Sequence, residues 1–95
     1  MAEVAISAAA LEDLERSTDF WREQNSKWAA QTSHLILEAL ELLARHPHLG
    51  RPLTPRIREL VISRGRTGYV ASYSVDEASG HVVVLRVRHQ KERGL

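Results

Sequence analysis

This chain of 95 residues carries a net charge of +1 at neutral pH and contains no cysteine. Its length allows one domain with a single small core, and the lack of cysteine excludes thiol catalysis, zinc–thiolate sites and disulfide bonds. No run approaches the ~18 apolar residues that a membrane-spanning helix needs. We therefore expect one domain over residues 1–95, in a soluble, cytoplasmic protein that does not contact a membrane.

The small net charge conceals a division between the two halves of the chain. Residues 1–48 carry eight acids and four bases, a net charge of −4, whereas residues 49–95 carry four acids and nine bases, a net charge of +5. Eight of those nine bases are arginines, whose planar guanidinium groups suit phosphate or carboxylate better than a lysine does. The basic half therefore predicts an acidic partner.

The first half of the chain predicts a short strand followed by two helices. Residues 3–7 alternate, and Ser7 is well suited to cap a helix. Apolar residues then recur every three to four positions from Ala8 to about Asn25, and again after Ser26 as far as about Arg45. These two helices are joined tightly, so we expect them to form a hairpin.

The second half predicts strands. Two prolines and a glycine over residues 46–52 stop regular structure, and residues 58–63, 69–75 and 81–88 are rich in β-branched and aromatic residues. Residues 64–68 and 76–80 form the intervening hairpin loops. The predicted fold is α+β, in the order β-α-α-β-β-β, with the helix hairpin on one face of a largely antiparallel four-stranded sheet. Its predicted core includes Leu35, Leu42 and Ile62. Tyr69 and Tyr73 share one sheet face, and they either belong to this core, which their small number favours, or stack on bases.

Several arginines are candidates for a binding surface. Side-chain alternation places Arg86 and Arg88 on one face of the last strand, and Val83, Leu85, Val87 and His89 on the other. If the predicted hairpin folds over the sheet, one concave basic surface could grip phosphates. Its arginines would be Arg58, Arg64, Arg66, Arg86 and Arg88. Alternatively, each arginine is solvated or pairs with a nearby acid.

Two other residues could carry proton-transfer chemistry. His89 stands where the last strand meets a basic tail, and it either acts as a general acid or base on RNA or only makes a hydrogen bond at the strand end. Glu59 is either a general base aimed at a ribose hydroxyl or a neutralising partner of Arg58 or Arg56. His46 and His48 lack further ligands nearby, so we expect no metal site, and no motif indicates a cofactor.

Taken together, the order of elements and several motifs resemble the RelE/ParE superfamily of type II toxin–antitoxin toxins. The resemblance covers nearly the whole chain and depends on the order and spacing of the motifs. The motifs are Leu11-Glu12-Asp13-Leu14, Leu42 to Pro52, Ile57 to Leu60, Gly68 to Tyr73 and Val84 to His89. The resemblance implies a small toxin that is neutralised by a cognate antitoxin, whose acidic, partly disordered segment wraps around it.

The superfamily has two branches with different targets. A RelE-like toxin enters the ribosome and cleaves mRNA through attack of the 2′-hydroxyl on the adjacent phosphate, whereas a ParE-like toxin inhibits DNA gyrase. RelE-like nucleases typically carry an arginine directly after the tyrosine that opens the third strand, where this chain has Val70. They also tend to carry a catalytic aromatic residue near the C-terminus, where this chain ends Arg93-Gly94-Leu95. His89 after a basic strand end is familiar from ParE-like members.

The resemblance therefore favours a ParE-like gyrase inhibitor, which needs no enzymatic activity. The expected contacts with the target or its phosphates are Arg58, Arg64, Arg66, Arg86, Lys91 and Arg93. The alternative is a metal-independent endoribonuclease that acts on ribosome-bound mRNA, with Arg88 and His89 as its catalytic residues.

Overall fold

The computed structural model describes residues 2–24, 26–62 and 68–89. Five strands and two helices follow one another within these residues. They are β1 (Val4–Ile6), α1 (Ala8–Gln24), α2 (Ser26–Arg45), β2 (Arg51–Pro52), β3 (Ile57–Val61), β4 (Tyr69–Val75) and β5 (Val82–His89). Neither described helix is long and apolar enough to cross a membrane.

The strands form one mixed sheet in the spatial order β1-β5-β4-β3-β2. The first strand pairs in parallel with the last, and the remaining neighbours are antiparallel. The helix hairpin between β1 and β2 packs against one face of the sheet, mainly through α1 on β5. The predicted α+β architecture is confirmed, because the helix pair covers one side of a largely antiparallel sheet.

The start of the first helix follows from Ser7, as the sequence indicates. The Ser7 hydroxyl accepts a hydrogen bond from the Ala10 N–H at 3.1 Å, and the Ser7 carbonyl accepts one from the Leu11 N–H at 2.9 Å. The side chain thereby satisfies a backbone donor that the helix itself leaves unpaired.

The structure adds a strand where the sequence predicts only irregular chain. Arg51 and Pro52 form the short edge strand β2, in which Arg51 pairs with Glu59 and Pro52 with Arg58. Two residues show no periodicity that a sequence pattern could reveal, and proline is tolerated because an edge strand has an unpaired side. Within the part of the chain that the structure describes, the sheet therefore has five strands and not the expected four.

The core lies between the sheet and the helices. Its buried residues are Ala10, Ile36, Leu43, Tyr69, Ala71, Tyr73, Val82, Val84 and Val87. The two tyrosines are therefore core residues, as predicted. Leu42 was expected in the core but is 46% exposed, whereas its neighbour Leu43 is fully buried. The predicted helical phase was wrong by one residue at this end of α2. Two leucines follow one another there, and the sequence does not show which of them faces the core.

Candidate target-contacting face

The face of the sheet opposite the helices, here called the far face, holds most of the polar side chains of the strands. Its residues follow from strand alternation and register, which place Glu59 of β3 beside Ser72 of β4, and Ser72 beside Arg86 of β5. In the next row, Val70 lies beside Arg88. These five residues line one shallow depression of about 210 Å³.

Glu59 is the acid of this depression and is only 6% exposed. Its carboxylate accepts hydrogen bonds from Arg51, at 2.9 Å from Nη2 and 3.3 Å from Nε. The sequence suggested Arg58 or Arg56 as the neutralising partner, and the structure supplies Arg51 from the edge strand instead. A carboxylate oxygen that already accepts two hydrogen bonds from a guanidinium group is engaged, and this geometry fits the neutralising role better than that of a general base.

Arg86 forms a partly buried ion pair with α1. The Asp13 carboxylate is 1% exposed and accepts hydrogen bonds from Arg86 Nε and Nη2, each at 2.8 Å. Arg16 Nη2 donates to the same carboxylate at 2.7 Å, and the Val87 N–H donates to it at 3.0 Å. This bidentate arrangement is the strong form of an arginine–carboxylate contact, so Arg86 has a structural role.

These contacts lower the pKa of Asp13 to about 2, chiefly because the Arg86 side chain donates hydrogen bonds to the charged carboxylate. Burial acts in the opposite direction, and the Val87 N–H adds to the lowering. The carboxylate is therefore ionised throughout the physiological pH range.

The lowered pKa predicts how stability responds to acid. A folded-state pKa below the ordinary value of 3.8 means that Asp13 stabilises the fold fully above about pH 4, and that this contribution is lost as the pH falls towards 2. We expect wild type to have a larger free energy of unfolding than Asp13→Asn at pH 5. The difference between the two proteins should decrease by about 2 kcal/mol between pH 5 and pH 2. Urea unfolding at several pH values measures this margin, and Glu12→Gln serves as the exposed control. A margin that stays constant would contradict the assignment.

Arg58 lies on the other side of the sheet from Arg86 and Arg88. It pairs in register with the core residue Tyr73, at the edge of the helix-covered face. Its Nη1 donates to the carbonyl oxygens of Gly50 at 2.7 Å and His48 at 3.1 Å, so it holds the loop that precedes β2. The single basic surface proposed from the sequence is therefore divided between two faces.

Arg88 is exposed on the far face, and among the described residues the structure records no salt bridge for it. Its neighbour His89 lies on the helix-covered face, opposite Tyr69 in register. The two rings pack edge to face with centroids 5.3 Å apart. Arg88 and His89 therefore face opposite sides of the sheet, although they were proposed as one catalytic pair. The remaining predicted contacts, Arg64, Arg66, Lys91 and Arg93, lie outside the described residues.

The sequence did not reveal the bulge in β5 that sets these directions. The pairing with β4 shifts between Ser72, which is opposite Arg86, and Tyr73, which is opposite Val84, so Leu85 is the extra residue. As a result Val82 and Val84 point into the core before the bulge, and Val87 does so after it. The prediction that Val83 shares a face with Val87 was wrong, since Val83 is 37% exposed on the far face.

Comparison with known proteins gives consistent matches over nearly the whole chain. A family described as "ParE toxin of type II toxin-antitoxin system, parDE" matches residues 4–94. Toxin RelE3 of Caulobacter vibrioides is 36% identical over 93 residues, which cover 98% of this chain and 99% of that protein. Toxin RelE1 of the same organism is 32% identical over 90 residues, which cover 95% of each.

Solved structures share the fold at lower identity. The chromosomal ParDE system from P. aeruginosa matches with a TM-score of 0.75 at 19% identity, covering 94% of this chain and 96% of that one. The RelBE2 toxin–antitoxin complex from Mycobacterium tuberculosis gives 0.62 at 24% identity, covering 94% and 98%. A free-state variant of E. coli toxin RelE, with two arginines replaced by alanine, gives 0.61 at 18% identity, covering 99% and 90%.

Proposed function

Because this chain belongs to the ParE toxin family of type II toxin–antitoxin systems, we propose that it inhibits growth by binding DNA gyrase, and that a cognate antitoxin neutralises it. In this proposal the protein is a binding toxin and carries out no bond cleavage. Arg88 and its surroundings on the far face contact the target, because Arg88 is an exposed cation for which the described residues offer no salt bridge.

The observation that carries the choice of target is the separation of Arg88 from His89. A ribonuclease of this superfamily needs a cation near the reacting phosphate and a proton-transfer group converging on the same atoms. Here the His89 ring packs against Tyr69 on the helix-covered face, whereas Arg88 lies on the far face beside Val70. The far face thus presents a valine where RelE-like nucleases typically carry an arginine, which supports a contact surface in preference to a catalytic one.

The antitoxin is proposed as a partner from two observations. Two solved structures with this fold are of a ParDE toxin–antitoxin system and a RelBE2 toxin–antitoxin complex. The net charge of +5 over residues 49–95 favours an acidic segment, because opposite charges speed association and specify the partner. We therefore propose an antitoxin whose acidic segment covers the basic half of the chain.

A specific observation keeps the alternative function open to test. The two curated relatives are named RelE toxins, and the two arginines replaced in the solved RelE variant are two positions apart, as Arg86 and Arg88 are here. A RelE-like ribonuclease would use Arg88 for the phosphate and His89 for proton transfer. Such a mechanism requires His89 to leave its packing against Tyr69 when RNA binds.

Two assays on the purified protein separate these functions. In a supercoiling assay with purified gyrase we expect inhibition that the cognate antitoxin reverses, and in a ribosome-dependent cleavage assay we expect the mRNA to remain intact. In cells, expression should cause filamentation and DNA-damage signalling, while translation in a purified extract continues. Cleavage at ribosome-bound codons with unchanged supercoiling would overturn the proposal and establish the ribonuclease.

A further inference from the structure

The last strand, β5, is longer than β1, the strand on its outer side. In the parallel pairing, β1 contacts β5 only at Val82, Val83 and Val84, and β5 continues to His89. Among the described residues, no strand lies beside the outer edge of β5 at Leu85 and Val87, and backbone groups there need other hydrogen-bond partners when they are shielded from water.

Side chains of α1 and its cap take the place of that missing strand. The Ser7 hydroxyl donates to the carbonyl oxygen of Leu85 at 2.9 Å, and the Asp13 carboxylate accepts from the N–H of Val87 at 3.0 Å. Leu85 is the extra residue of the bulge, so one side chain holds the bulge itself and the other holds the second residue after it. Both contacts join residues more than seventy positions apart in the chain.

The bulge decides which way the following residues point. With unbroken alternation from Val82 and Val84, which are buried, Arg86 and Arg88 would point into the core and Val87 away from it. The extra residue reverses this order, so that Val87 is buried and the two arginines lie on the far face. Bulges commonly serve to re-aim a side chain in this way.

Asp13 also fixes the first of these arginines directly. Its bidentate contact with Arg86 Nε and Nη2 occupies one edge of the guanidinium group. Loss of either partner would leave the other charge without its main counterion, in a site where Asp13 is 1% exposed. Arg86 is therefore bound to Asp13 of α1, whereas Arg88 is exposed on the far face.

From this geometry we infer that Asp13 is a positioning residue: it holds Val87, just after the β5 bulge, and thereby places Arg88 on the far face for contact with the target. Only the last clause, contact with the target, rests on the proposed function. The placement of Arg88 is a property of the fold and is tested without any target.

The first test measures the bulge itself by amide hydrogen exchange and NMR in Asp13→Asn. Exchange at Val87 should accelerate about tenfold beyond any rise at core amides of α2, because a neutral amide replaces the charged acceptor and its NH2 group must face an N–H donor. Contacts between the Arg88 and Val70 side chains should weaken in the nuclear Overhauser spectra. Glu12→Gln, which removes a neighbouring exposed charge from α1, should change neither readout.

A second variant keeps the test decisive if Asp13→Asn fails to fold. Ser7→Asp retains an oxygen that can cap α1 but removes the hydroxyl that donates to Leu85. It should loosen the same bulge from its other side, with the same local pattern of exchange. A uniform rise in exchange across the sheet, or unchanged contacts between Arg88 and Val70, would overturn the inference and leave Asp13 with a general stabilising role.

The contribution of Asp13 to contact with the target is measured separately, as inhibitory potency. At protein concentrations corrected for folded fraction, Asp13→Asn should inhibit growth or supercoiling about tenfold less than wild type, while Glu12→Gln retains full potency. Equal potency of Asp13→Asn, with the bulge loosened, would overturn the clause that links Asp13 to the target. If wild type itself leaves gyrase unaffected, the proposed target fails, and the exchange experiment still decides the role of Asp13.

Discussion

Replacing Leu43 by alanine is expected to destabilise the protein by about 2–5 kcal/mol, a large share of the total stability of a domain this small. Leu43 is fully buried against the sheet, and little in such a small core can move to fill the space it leaves. Urea unfolding followed by circular dichroism measures the loss, and the variant should be non-toxic simply because too little of it is folded.

Leu42→Ala is the matched control for this prediction. The same number of atoms is removed from the adjacent position, but Leu42 is 46% exposed, and we expect a cost below about 1 kcal/mol. Equal destabilisation by the two variants, or a larger loss for Leu42→Ala, would show that the helix presents a different face to the sheet.

Replacing Gly50 by alanine is expected to cost about 3 kcal/mol or more. A β-carbon at this position would lie 2.7 Å from the carbonyl oxygen of Glu59 and 2.7 Å from the hydroxyl of Tyr73. That hydroxyl is the buried acceptor for the Gly50 N–H, also at 2.7 Å, so the loop cannot move away without breaking a hydrogen bond. The variant should unfold at markedly lower urea concentration and lose the pairing of β2 with β3.

Gly80→Ala separates steric crowding from backbone strain. Gly80 has a φ of +78° in the β4–β5 turn, and a β-carbon there would meet nothing within 4 Å. It should therefore cost only about 1 kcal/mol, the penalty for a left-handed backbone at a non-glycine residue. If Gly50→Ala is no more destabilising than Gly80→Ala, the close packing of the Gly50 loop against Tyr73 is wrong.

The parts of the fold that local pattern determines were predictable from the sequence. The cap at Ser7, the two helices and the three long strands each follow from spacing or composition within a few residues, and the structure confirms them. Features that leave no recognisable pattern in the sequence were not predictable. The edge strand at Arg51 and Pro52 is too short to carry a pattern, and the bulge at Leu85 looks like ordinary alternation until its pairing with β4 is known.

The sequence named candidate residues for a binding surface but did not give their arrangement. Arginine enrichment indicated a binding surface, yet the far face obtains its geometry from partners distant in the chain: Asp13 is 73 residues from Arg86, and Ser7 is 78 from Leu85. In the sequence, the adjacent acids Glu12 and Asp13 both look like exposed residues on the surface of a helix. Only the packing of α1 against β5 distinguishes the buried Asp13 from the exposed Glu12 beside it.

The most direct test of the central proposal, that the far face carries the toxic contact through Arg88, is a gyrase supercoiling titration with Arg88→Ala beside wild type. Arg56→Ala serves as the control, because Arg56 is an exposed arginine in the loop between β2 and β3, away from the far-face depression. We expect Arg88→Ala to require about tenfold more protein for half-inhibition, and Arg56→Ala to match wild type. Wild-type potency of folded Arg88→Ala would contradict the account.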